Sequence, residues 1–119
     1  MEDDYIQAKL LNQPRLWETE GWAEKIGVEA IPDLDNGWAG MKGKALEKAL
    51  VKAYGQAVHA SANHYLSTLT LRDLEREVKM DPSNRPVTDL LSTLVIHNSL
   101  HGGEIAALGG LQGLQRQPV

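Results

Sequence analysis

An all-α fold follows from three features of the chain. Two long segments, residues 45–69 and 87–108, carry apolar side chains every three or four positions. No stretch alternates apolar and polar residues in the manner of a half-buried strand. At about 1.5 Å per residue the two segments are each some 30 to 40 Å long, a match that suits antiparallel packing in a bundle. With 119 residues, 42% hydrophobic and 24% charged, the chain has the size and composition of one globular domain.

The elements follow in order. "DDYIQAKLL" (residues 3–11) forms two or three helical turns that Pro14 interrupts, and "TEGWAEKIG" (19–27) is a second short helix stopped by Gly27. The segment 28–43, "VEAIPDLDNGWAGMKG", has no period, and a connection of that length covers something or crosses the bundle. Trp17, Trp22 and Trp38 fall in this first third, where large rings anchor irregular chain to helices.

The first long helix places Leu46, Leu50, Ala53, Ala57, Ala60 and His64 on one stripe, with Val51, Tyr54, Val58, Ala62, Tyr65 and Leu69 beside it. Its alanines permit close approach of a neighbour. Thr70 then stands as an N-cap with Asp73 three residues on, opening a short helix to about Val78, and "MDPSNRP" reads as a loop. Pro86 suits the start of the second long helix, because its missing N–H would have no partner there. From Val87 to about Leu108 the stripe reads Leu90, Leu94, His97, His101, Glu104, Leu108, flanked by Leu91, Val95, Asn98 and Ile105. The polar triplet lies on the apolar face, so it is expected to point inward or into a cleft.

Charge and cysteine content narrow the chemistry. A net charge of −4 without any cluster of Lys or Arg gives no footprint for a phosphate backbone, so nucleic acid is not an expected partner. The absence of cysteine removes disulfides, thiolate nucleophiles and sulfur-ligated zinc. No apolar run reaches the roughly 20 residues that span a bilayer, and the first residues are acidic where a signal peptide is basic, so the expected location is cytoplasmic, away from the membrane.

Imidazoles four residues apart on a helix aim two nitrogens at one cation, and a carboxylate three residues further adds an oxygen on the same face. His97, His101 and Glu104 are therefore a candidate partial metal shell. The plainer account has the imidazoles satisfying hydrogen bonds near a helix end. The metal account is favoured because two of the chain's four histidines share a stripe with a glutamate. "HNSLH" lacks the glutamate after the first histidine that a zinc protease needs as base. His64, on the core-facing stripe of the other long helix, is a candidate third ligand, although a lone histidine there is more often structural. His59 falls on a more solvated face.

Gly102 and Gly103 each cost a helix interior about 1 kcal/mol relative to Ala. Either a close backbone approach beside His101 compensates, or the helix weakens there. Glu18 or Glu20 in "WETEGW" either pairs with a cation or simply favours the helix dipole, the simpler account.

The stretch "RPVTDLLSTLVIHNSLHGGEIAALGGL" (85–111) resembles the last helix of the DinB-like superfamily, whose pattern is a histidine, three residues, a second histidine, then Gly, Gln or a similar residue, and Ile. The corresponding positions are His97, His101, Gly103, Glu104 and Ile105, with Glu104 where Gln is common. "QPRLWETEGWAEKIG" and "YGQAVHASANHYLSTLTLRDLEREV" resemble the crossover and third helix of a DinB-like subgroup, so the similarity runs over nearly the whole chain. The resemblance implies a four-helix bundle with a long crossover and a divalent metal, such as zinc, nickel, manganese or iron, held by three histidines, one from the second helix and two from the last. It also implies metal-dependent thiol-S-transfer or isomerisation with low-molecular-weight thiols, or hydrolysis, on a small-molecule or thiol substrate. In that family the second-helix histidine precedes an acidic pair like Glu2 and Asp3, so here its position would precede Met1.

The expectation is thus a single DinB-like helical domain over residues 1–119, lacking the first helix and the start of the second. A bundle so shortened exposes apolar stripes, which a homodimer would cover. With two of three histidines present, metal binding would draw on Glu104, His64, water or a donor from a second subunit. The rival expectation is a non-enzymatic dimeric interaction module that has lost the metal site.

Overall fold

The computed structural model describes residues 1–28 and 43–114. Helix makes up 69% of the structure and strand 4%, which places the chain in the all-α class. It divides into two compact units, Met1–Thr70 and Leu71–Val119.

The first unit opens with a π-helix, Asp4–Leu10, whose wider turn is closed by the Leu11 N–H donating to the Ile6 carbonyl at 3.0 Å. Its face of Asp3, Ile6, Gln7 and Leu10 is buried, the spacing of one helical stripe. Asn12 then takes a left-handed conformation at φ 53°, which asparagine tolerates better than most residues, and Pro14 keeps the chain from continuing as helix. Two short helices follow, α1 (Leu16–Thr19) and α2 (Trp22–Ile26). Gly27 ends α2 at φ 77°, where a side chain would be strained, and its N–H donates to the Ala23 carbonyl at 2.9 Å.

The long helix α3 (Lys48–Thr68) starts three residues later than its periodicity alone predicts. Trp17, Trp22 and Val28 pack against its Ala53, Tyr54 and Ala57, so the small residues of the stripe make room for indole rings. Trp17 meets the Tyr54 ring edge-on at 5.3 Å between centroids. The expected anchoring by Trp17 and Trp22 is therefore observed; Trp38 and most of the segment 28–43 lie outside the described residues.

A buried carboxylate ties these pieces together. Asp3, 4% exposed, accepts the N–H groups of Leu16 at 2.9 Å and Trp17 at 3.0 Å, and the Tyr54 hydroxyl donates to it at 2.8 Å. The first N–H groups of a helix have no partner within it, and here a residue from another helix supplies the acceptor. Burial, and then the bond to Asp3, push the Tyr54 phenol well above its ordinary range. The buried Gln7 amide donates to the Ser61 hydroxyl of α3 as a second tie.

The second unit holds α4 (Leu71–Glu75), strands β1 (Glu77–Val78) and β2 (Arg85–Pro86), and α5 (Val87–Leu111). The strands correct the expectation of a helix to Val78 and of an uninterrupted loop after it. Glu77 pairs with Pro86 and Val78 with Arg85 in an antiparallel hairpin, and the Val87 N–H donates to the Arg76 carbonyl at 3.0 Å. The chain must extend at Glu77 to enter that ladder, so α4 stops at Glu75. Pro86, having no N–H to give, closes β2 and caps α5, which begins at Val87 as its sequence predicts.

Candidate metal centre

The i, i+4 spacing on α5 stacks His97 and His101, and the next turn brings Glu104 alongside. The Glu104 carboxylate oxygen Oε2 lies 2.7 Å from His101 Nδ1, and His101 Nε2 lies 2.9 Å from His97 Nε2. The rings stand nearly perpendicular, their centroids 4.3 Å apart. With Nδ1–H given to the carboxylate, a neutral His101 ring carries its lone pair on Nε2, the atom that faces His97.

Two imidazole nitrogens bound to one zinc ion sit about 3.3 Å apart, from tetrahedral geometry and bonds of about 2.0 to 2.1 Å. The observed 2.9 Å lies within a small side-chain rotation of that separation. As it stands the 2.9 Å contact is a hydrogen bond, His97 Nε2–H donating to His101 Nε2, as the plainer account expects. A divalent cation would replace that proton between the two nitrogens, and the carboxylate on the outer nitrogen matches the usual support for a ligating imidazole.

The placement departs from sequence expectation. His97 is half-buried, but the His101 and Glu104 side chains are 54% and 66% exposed rather than turned into a core or cleft. The buried residues of α5 are Val87, Leu90 and Leu94; from Val95 onward no residue of this helix is buried. Glu104, expected as an oxygen ligand, is occupied with the far nitrogen of His101. His64, the candidate third ligand, is an exposed residue of α3 whose carbonyl accepts the Ser67 hydroxyl. Among the described residues, no three His, Cys, Asp or Glu side chains gather around one point. His59 is exposed as expected, 3.8 Å from Glu2.

The close backbone approach expected at Gly102 and Gly103 is not observed. α5 runs through them to Leu111, and a Cβ on either would meet nothing within 4 Å. Around them the helix exposes Val95, Ile96, Leu100, Ile105, Leu108 and Leu111. In the first unit Glu18 does find a cation: its carboxylate accepts the Arg15 backbone N–H at 2.8 Å and pairs with the Arg15 guanidinium, which holds its pKa below the usual value. The buried Asp3 escaped sequence reasoning. Its one signal was an acid in register with Ile6 and Leu10 on an amphipathic turn.

The chain matches no protein-family model, no curated protein and no solved structure. Among the described residues no helix is long and apolar enough to cross a membrane.

Proposed function

We propose that the chain is a DinB-like helical protein that binds a divalent transition-metal ion through Nε2 of His97 and of His101. The observation that carries this reading is the facing pair of ring nitrogens, one of them backed by Glu104. Such an ion, where a coordination position stays open, would polarise a carbonyl or lower the pKa of a coordinated water or thiol, in keeping with thiol transfer or hydrolysis on a small molecule. The chain's own contribution is positional. Glu104 fixes the His101 tautomer and ring orientation, and the helical spacing keeps the second imidazole within reach. One chain supplies two imidazoles, so the remaining coordination positions fall to exchangeable ligands or to groups from another chain.

Zinc affinity, measured by competition with a chromophoric chelator on protein purified without a histidine tag, tests this. Wild type should take zinc from the dye, and His97→Ala or His101→Ala should lose at least about tenfold in affinity, each removing one of two protein ligands. A wild type that leaves the dye saturated contradicts the reading.

A second reading is favoured by the exposed aliphatic residues of α5: a non-enzymatic dimeric interaction module whose histidines serve no metal. A stable dimer that ignores zinc would select it.

A further inference from the structure

The two imidazoles form half of a site, and their surroundings suit a second copy of the same helix. A cation of the zinc type takes four donors. His97 and His101 turn one nitrogen each toward the other, Glu104 is held on the outer nitrogen of His101, and no third ligand completes the group among the described residues. Resting on the metal-binding part of the reading above and not on its chemistry, we infer that the ion lies between two copies of α5, each supplying His97 and His101, so that four imidazole nitrogens surround one cation as a closed, structural site.

The face around the pair supports this occupant. Leu100, Ile105, Leu108 and Leu111 share the helical face of the histidines, with exposures from 58% to 86%. An apolar patch enclosing a few polar groups is the make-up of an interface centre. A water-completed site on a single chain would leave those four side chains in solvent. A two-fold axis through the ion makes the patch its own complement, which is how most dimers form.

Charge favours the same arrangement. Asp89 and Glu104 are the only charged residues of α5, so no lysine or arginine of the helix repels a cation. Two copies bring two Glu104 carboxylates against the double charge of the ion, leaving the enclosed group neutral. Burying an uncompensated charge is what such an interface must avoid. Glu104 acts here through His101, as a positioning and charge-balancing residue.

The test is a zinc titration of the full chain without a tag, read by sedimentation equilibrium and by bound zinc per chain. The expected result is one zinc per two chains on a particle of twice 13.1 kDa. His97→Ala and His101→Ala should abolish zinc binding by the dimer, while Glu104→Gln should weaken it about 10- to 100-fold with the helical circular dichroism unchanged. One zinc per chain, on a monomer or on a dimer, overturns the inference and leaves the metal-binding reading standing. No zinc bound at any concentration tested overturns both.

Discussion

The two halves of α5 are built from similar residues and meet opposite surroundings. In the first half, Val87, Leu90 and Leu94 are buried, and Leu90 is wholly enclosed. From Val95 onward, Val95, Ile96, Leu100, Ile105, Leu108 and Leu111 are exposed, although they are aliphatic like the buried three. A helix apolar around its circumference is normally covered on more than one side. The difference teaches that similar residues do different things along one helix: the first turns hold the second unit together, and the last turns leave aliphatic surface exposed, which the proposed pairing of two chains would cover. Burying an exposed leucine contributes roughly 1.5 to 3 kcal/mol at full coverage, against an association cost of roughly 4 to 15 kcal/mol, so four such residues offset much of that cost and the shared ion would add to them.

Substitutions sharpen the contrast. The largest effect is expected at Leu90→Ala, about 3 kcal/mol of destabilisation in urea unfolding, because the site is fully enclosed and leaves a cavity. Asp3→Ala in the first unit should cost about 2 to 3 kcal/mol, since it strands the buried Trp17 N–H, the part-buried Leu16 N–H and the Tyr54 hydroxyl. Gly102→Ala and Gly103→Ala should each gain about 0.5 to 1 kcal/mol, because the added methyl meets open space and alanine favours helix. The smallest effect belongs to Leu108→Ser, within about 0.5 kcal/mol in the chain alone, while its self-association weakens. If Leu90→Ala and Leu108→Ser cost the same in dilute chain, the two halves of α5 do not differ as described.

Alkaline pH probes the first unit. The Tyr54 pKa is raised in the folded chain, chiefly by burial and then by Asp3. The folded state therefore holds this proton more tightly than the unfolded chain, so the associated stability is complete below the ordinary tyrosine pKa near 10 and falls as pH rises above it. Difference absorbance of the phenolate should show Tyr54 titrating above the ordinary tyrosine range, or only with unfolding. Titration of Tyr54 at the ordinary value would remove the Asp3–Tyr54 tie.

What the sequence made legible was local. Pro86 marks the start of α5 and Gly27 the end of α2, because both act through the geometry of their own residue. The four-residue spacing of His97 and His101 brings their nitrogens together without help from the rest of the fold. Features that depend on distant partners were hidden. Asp3 takes its role from Leu16, Trp17 and Tyr54, the last of them 51 residues away. Strands of two residues carry too little pattern to be seen, and what sets them is the pairing across the 79–84 loop. Periodicity assigned His101 and Glu104 to a face of α5, but it carries no information about what stands opposite that face, so their exposure was unforeseen.

Zinc-edge X-ray absorption on the metal-loaded chain measures the central claim most directly, because it counts the imidazoles around the ion. The account predicts four nitrogen donors at about 2.0 to 2.1 Å, with the multiple scattering of histidine rings. A shell of two imidazoles completed by oxygen would contradict it.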